Sequence, residues 1–367
     1  MSSHCNSPQF STQNEDRWFV PPRLLLQRSA EGMPAPVYAS SPFNHSKADV
    51  ILRSSDNVDF RVFKLFLSLS SPFFETLFDL PQPSEAEHPA DTETKDGLPV
   101  LPVSEDSRTL DALLRFCYPC TLSENPPLNH FRDVIKVLEA AQKYALDEVE
   151  NTIRKALFNP TILELNSLRC FAIARKARLR EETTLAARYS LRISLVPNWF
   201  EEIEMITATD LLALLAYHQK CGWAVQKLQL GFSWIEEHYQ SRAAVPWIFG
   251  ETPGRLCGCP RANTIKLFGQ KHLVWWEEFM EATFRTLKEK PCARTVHKSV
   301  EKTIGEVRRR NCQSCTPDIA TVMNQFADLF ARKVEELVSE VSSPSPQETT
   351  AICESNVGLQ VELNLTY

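Results

Sequence analysis

Glycine is scarce in this sequence, with 10 residues in 367. The usual share is about 7%. Sandwiches and propellers turn repeatedly on glycine, so the scarcity disfavours them and favours helices. Long apolar runs are missing as well. No stretch approaches the ~18 consecutive apolar residues of a membrane-crossing helix, so no transmembrane segment is expected. Met1 to Asp16 is polar and lacks the charged start and apolar run of a secretory signal. These absences point to an intracellular protein, cytoplasmic or nuclear, in which the 11 cysteines are mostly reduced. There Asn364-Leu365-Thr366, a glycosylation triplet, never meets its machinery.

An excess of positive charge is also lacking. The formal net charge is -6, which gives no long-range attraction for a phosphate backbone, so no nucleic-acid partner is expected. Arg308-Arg309-Arg310 is short and reads as a solvated helix face. There is no phosphate-cradling glycine loop, no His-Glu-x-x-His and no Gly-x-Ser-x-Gly, so no catalytic residues are assigned. Glu201-Glu202 and Glu335-Glu336 fit solvated helix faces, and His218 and His238 fall within helices.

What is present suits a packed protein. Hydrophobic residues are 43% and charged residues 23%, and the length suits two domains of roughly 100–200 residues each. Residues 1–45, rich in Ser, Pro, Gln and Asn, read as a disordered arm. Its one apolar island, Trp18-Phe19-Val20 to Leu24-Leu25-Leu26, reads either as a sticky tail or as a docking arm.

From Ala48 the texture changes. Asp49 to Leu52 reads as a strand, Ser55-Asp56-Asn57 as a turn and Asp59 to Phe63 as a half-buried second strand, together a hairpin. Lys64 to Ser70 and Pro72 to Phe78 read as short helices, with Ser71 capping and Pro72 in the first helical position. Residues 81–97 form a mobile acidic, Pro-rich insert. Leu98 to Val103 is a strand that its prolines restrict to an edge or to irregular structure. Helices follow over Arg108 to Tyr118 with Ser107 as cap, Phe131 to Ala145, and Asp147 to Phe158.

The remainder reads as helix after helix, over 161–179, 181–193, 208–220, 222–240, 262–289, 295–310 and 317–341. The last has Thr316 as cap and Pro317 in its first turn. Its wide stripe, including Ile319, Met323, Phe326, Phe330 and Val334, is buried within the domain or forms a coiled coil. Residues 342–367 read as a disordered tail, in which alternation at Val357, Leu359, Val361, Leu363 and Leu365 suits a strand added to a sheet edge.

The order from Asp49, namely strand, strand, two short helices, strand, helix and helix pair, resembles the BTB/POZ domain. Asp49-Val50 is similar to the opening of that family's first strand. Phe60-Arg61-Val62-Phe63-Lys64, with Leu67, Ser68, Ser71-Pro72-Phe73-Phe74 and Phe78, resembles its strand, basic residue and helix signature. Leu113 to Pro119 and Ala140 to Leu146 resemble the helices that follow. The resemblance runs from near Lys47 to Phe158. The insert after Leu80, the Leu110 to Pro119 segment and Phe171-Ala172-Ile173-Ala174 resemble the BTB family expanded in mushroom-forming fungi. Two positions depart from the family. Phe63 stands where histidine is common, and Leu80-Pro81-Gln82 stands where cullin-recruiting members carry an apolar-x-glutamate motif.

The resemblance implies an α+β fold, a BTB/POZ domain over 46–159 built as a small sheet flanked by helices; the helical pattern beyond it reads as an all-α region over 160–341. It also implies a non-enzymatic role in homodimerisation or the binding of other proteins. A cullin-ligase adaptor and a transcriptional regulator are the alternatives, the first opposed by the missing glutamate and the second by the lack of a DNA-binding element. In several relatives an aspartate and a basic residue face each other across a pocket at the dimer interface. The matching positions are Asp49 and Lys64, for which a local ion pair is the other reading.

Two cysteine pairs stand apart from the resemblance. Cys257-Gly258-Cys259 and Cys312-Gln313-Ser314-Cys315 have the short gaps of zinc knuckles, with Cys292 and His297 between them. If the pairs meet, they form a structural zinc site; otherwise they are packed, reduced thiols. Cys117, Cys170 and Cys221 fall within helices and read as core.

Overall fold

Chain order begins inside the segment expected to be a disordered arm. The computed structural model describes residues 36–80, 93–119, 121–123, 126, 130–194, 199–251 and 257–342. Val37–Tyr38 is β1, Val50–Arg53 is β2 and Val58–Val62 is β3. β1 runs parallel to β3, and β2 and β3 form the expected antiparallel hairpin. Phe43 is fully buried, its ring 5.7 Å from Phe60 and 5.2 Å from Tyr118. One large aromatic in a polar stretch is enough to bring residues 36–45 onto the sheet. The apolar island at 18–26, the insert over 81–92 and the tail over 343–367 lie outside the described residues.

Lys64–Ser70 (α1) and Pro72–Asp79 (α2) follow as expected. The Ser71 hydroxyl accepts the Phe74 N–H at 3.2 Å, and Pro72 occupies the first turn, where its missing donor costs nothing. Thr94–Lys95 (β4) and Leu98–Pro102 (β5) close the sheet in the order β1-β3-β2-β5-β4. β5 is therefore neither an edge nor irregular. It pairs parallel to β2 and antiparallel to the short β4. Its prolines are tolerated because the amides of other residues carry bonds. Val100 donates to Glu93 at 2.9 Å and Val103 to Arg53 at 2.8 Å.

Ser107–Cys117 (α3), Phe131–Lys143 (α4) and Asp147–Leu157 (α5) bury Leu110, Leu113, Leu114, Val134, Leu138 and Ile153 against the sheet and each other. The cap of α3 is Asp106, which accepts the Thr109 N–H at 2.8 Å, and not Ser107. Ser107 instead donates its hydroxyl to Asp56 at 2.6 Å, tying the helix start to the hairpin turn.

The second half is helical, as expected, with one insertion of sheet. Pro160–Lys176 (α6) and Arg180–Ser190 (α7) pack as a pair, and a 3₁₀ turn over Glu201–Met205 precedes Ala208–Leu230 (α8). The expected break near residue 221 is absent, since α8 runs straight through Gly222. Ser233–Tyr239 (α9) and Pro246–Phe249 (α10) are short. Arg261–Leu267 (β6) and Gln270–Leu273 (β7) form a hairpin where a helix over 262–289 was expected. Phe268 and Gly269 make its turn with φ of 46° and 63°. Two successive left-handed residues are the conformation that a two-residue hairpin loop demands.

Val274–Glu289 (α11), Ala293–Arg309 (α12) and Ile319–Glu340 (α13) complete the chain. Asp318, without a side-chain cap bond, stands at the start of α13, so Thr316 does not cap it. The stripe of α13 is buried within the chain. Met323, Phe326, Phe330 and Val334 are fully covered, and Trp234 packs on Phe326 and Phe330 at ring distances of 5.9 and 5.1 Å. One continuous core joins both halves, from Phe43 to Val338. At the junction Arg169 lies over the Phe131 ring at 4.4 Å and donates to the fully buried Glu202 at 2.7 and 2.6 Å. Among the described residues no helix is long and apolar enough to cross a membrane.

Candidate functional site

Two features stand out as sites, an exposed apolar face on the first half and a cluster of thiols in the second. The face is built by α1 and α2. Leu65 and Leu69 are one turn apart on α1 and are 63% and 77% exposed. Phe73, at the start of α2, is 41% exposed. Side chains at i and i+4 share a helix face; Phe73, just past the α1–α2 turn at Ser71, packs its ring 5.4 Å from that of Tyr144.

Asp49 and Lys64 lie at the root of this face. Asp49 Oδ1 accepts the backbone N–H of Lys64 at 2.7 Å, so the carboxylate holds the first turn of α1. The Lys64 ammonium lies over the Phe78 ring, 5.5 Å from its centre. The two residues are brought together, but through the main chain of one and the side chain of the other.

A charged cluster on the sheet was not legible in the sequence. Asp59 is fully buried and receives Arg53 Nε at 2.7 Å and Lys95 Nζ at 2.6 Å. Arg53 also reaches Glu93 at 2.6 Å, and Arg61 reaches Asp96 at 2.5 Å. Burial opposes ionisation of Asp59, but the hydrogen bonds from Arg53 and Lys95 outweigh it and hold its carboxyl below the usual range. The cluster fastens β4 and the end of the insert onto β2 and β3. Only the polar residues flanking apolar Phe60 and Val62 hinted at it.

In the second half, Ser190 and His218 are buried together, with Oγ and Nε2 2.7 Å apart. Ser190 donates its proton to the Ala187 carbonyl at 2.6 Å, so it accepts from the imidazole Nε2–H. Burial pushes His218 down to about 3. The pair joins α7 to α8 as a neutral hydrogen bond.

The two cysteine pairs meet. Their four sulfurs, from Cys257, Cys259, Cys312 and Cys315, all lie within 4.8 Å of one another. Cys257 Sγ is 3.4 Å from Cys315 Sγ and 3.9 Å from Cys312 Sγ, and Cys259 Sγ is 3.9 Å from Cys315 Sγ. The first pair comes from the segment entering β6, the second from the turn between α12 and α13. Burial opposes ionisation of Cys312, but the amides of Cys315 and Ser314 and the neighbouring thiols outweigh it and bring this thiol down to about 6. Burial pushes Cys259 up to about 11 and raises Cys315 further. Cys292 and His297 do not join the cluster. Cys292 sits at the start of α12, its sulfur 3.4 Å from Thr295 Oγ1, and His297 faces solvent on α12.

Residues 40–160 match the family model of the BTB/POZ domain. No curated protein matches the chain. The match spans β2 to α5 and all of the exposed α1–α2 face. With the sheet order, the Ser71 cap and the flanking helices described above, residues 40–160 of this chain are a BTB/POZ domain, a protein-interaction module, followed by a helical region.

Proposed function

We propose that the protein is a non-enzymatic interaction protein of the cell interior that pairs with a second copy of itself through the outer face of α1 and α2. The exposed pair Leu65 and Leu69 on one face of α1, with Phe73 exposed at the start of α2, carries this reading. Single exposed leucines are ordinary, whereas a contiguous apolar patch marks an interface. Full burial of such a side chain stabilises by roughly 1.5–3 kcal/mol. In a twofold dimer each substitution acts twice, because the same patch serves on both protomers. Asp49 and Lys64 border the patch and set its orientation, while the apolar side chains supply the energy.

The helical region offers a second surface to another protein. Leu212, Leu215, Trp223 and Leu230 are exposed along α8, and at 3.6 residues per turn they lie on one side of it. Native mass spectrometry of the full-length protein tests the self-association. A dimer is expected at micromolar concentration, and Leu65→Asp with Leu69→Asp should convert it to a folded monomer. A wild-type chain that stays monomeric removes the reading. A cullin pulldown is expected to fail, because Leu80-Pro81-Gln82 lacks the glutamate of cullin-recruiting relatives.

A further inference from the structure

We propose that Cys257, Cys259, Cys312 and Cys315 bind one zinc ion as a four-thiolate structural centre that staples the start of the β6–β7 hairpin to the α12–α13 turn. The spacing of the sulfurs leads to this assignment. A tetrahedral zinc with Zn–S bonds of about 2.3 Å sets its sulfurs about 3.8 Å apart. The separations here are 3.4, 3.9 and 3.9 Å, and no pair of the four exceeds 4.8 Å. For these three pairs ligation requires shifts of a few tenths of an ångström, and for no pair more than about 1 Å, within the reach of side-chain rotation. A cluster of iron and sulfide would sit between the thiolates and spread them further apart, so a single ion fits the arrangement better.

Three of the four other described cysteines show what packed thiols look like in this protein. Cys117 faces the Leu113 carbonyl at 3.5 Å and Cys170 the Leu157 carbonyl at 3.8 Å, each thiol spending its weak donor on main chain. Cys292 faces Thr295. The four in the cluster face one another instead. Four thiols with no ion between them would crowd soft, weakly bonding groups, when the same turns could aim them at carbonyls as elsewhere. An ion at the centre turns the crowding into four bonds.

The surroundings fit the same reading. Cys257, Cys259 and Cys312 are half-buried and Cys315 is buried, so the cluster keeps partial contact with solvent. Gly250 ends α10 with φ of +67°, and a Cβ there would lie 3.0 Å from Cys257 Cβ and 3.1 Å from its sulfur. Cys257 approaches that backbone so closely, at a left-handed position, that glycine is the residue that fits. The α12–α13 turn, residues 310–318, has no regular structure of its own. A tie to the hairpin fixes the angle at which α13 enters the core.

The test uses full-length protein expressed with zinc in the medium and purified without chelator. Elemental analysis and native mass spectrometry should give one zinc per chain. Replacement with cobalt(II) should give the intense charge-transfer bands of tetrahedral thiolate ligation. Cys312→Ser with Cys315→Ser should lower the metal content to zero, while Cys292→Ser keeps it at one. If the double variant does not fold, the metal count and cobalt spectrum of the wild type still decide. A zinc-free chain with four titratable thiols after zinc loading would overturn the proposal. So would an intact mass two or four daltons low, which is the mark of disulfides, or iron in place of zinc. The dimer mass is read separately in the same spectra, so loss of metal binding and loss of self-association are told apart.

Discussion

Ser71 donates its hydroxyl to the carbonyl oxygen of Tyr144 at 2.5 Å while accepting the Phe74 N–H at 3.2 Å. One buried side chain thereby caps α2 and also satisfies the main chain at the end of α4. The Tyr144 ring completes the joint by stacking on Phe74 with centroids 5.0 Å apart. Ser71→Ala removes a cap, at about 1 kcal/mol, and strands a buried carbonyl, at about another 1 kcal/mol. A loss of about 2 kcal/mol is expected, measured as a lower urea midpoint at unchanged slope. A loss below about 0.5 kcal/mol would show that the joint does not matter.

Asp59 makes a pH-dependent contribution. Its carboxyl is held below its ordinary value of 3.8 in the folded protein, so the folded state favours the ionised form. That stabilisation is complete above the unfolded value and is lost as pH falls through the lower folded one. Asp59→Asn leaves Arg53 and Lys95 facing a neutral group. Breaking a buried pair costs about 3–5 kcal/mol. Arg53 retains Glu93, and Lys95 is partly solvated, so about 3 kcal/mol is expected at pH 7. Melting temperatures across pH 3–7 should show the variant and wild type converging at the acid end; parallel curves would refute the assignment.

The BTB half was legible because its signals are local. The turn at Ser55-Asp56-Asn57, the Ser71-Pro72 helix start and the amphipathic stripes of α3 and α4 each act within a few residues. What escaped depends on distant partners. Phe43 is core only because Phe60 and Tyr118 meet it, and nothing around it in the sequence is apolar enough to say so. Asp59 reads as the wet side of a strand until Lys95 arrives from beyond the insert. The β6–β7 hairpin carried one readable signal, Gly269 in the middle of an expected helix, but β6 exposes Asn263, Thr264 and Ile265 and has no clean alternation. The cysteine spacing showed that each pair suits a turn. Only the fold shows that the turns meet.

Gly222 illustrates the opposite error. Two helices are expected here, over 208–220 and 222–240, yet α8 continues through Gly222, whose missing side chain lets α11 pass close by. A Cβ at Gly222 would lie 2.6 Å from the Lys288 carbonyl oxygen. Gly222→Ala gains about 1 kcal/mol in helix propensity and incurs an overpacking cost of about 1–3 kcal/mol against backbone that cannot rotate away. A net loss of up to about 2 kcal/mol is expected by chemical denaturation. Stabilisation would mean that α8 and α11 stand further apart than described.

The strongest pH effect should come from His218. Its ordinary value is 6.5, and burial holds it near 3 in the folded protein. The unfolded chain therefore binds a proton that the folded chain refuses. Stability is full above about pH 6.5 and declines as pH falls below it, at about 1.4 kcal/mol per unit. Between pH 7.5 and 5 the loss from this residue is about 2 kcal/mol. His272, also lowered chiefly by burial, adds in the same direction. His218→Gln keeps an N–H donor for Ser190 and has no proton to gain, so its stability should fall less steeply below pH 6.5 while His272 still contributes. Urea denaturation at pH 7.5, 6 and 5 separates the outcomes. Equal slopes for variant and wild type would show that His218 takes up its proton in the folded state, which requires the Ser190–His218 contact between α7 and α8 to open to water.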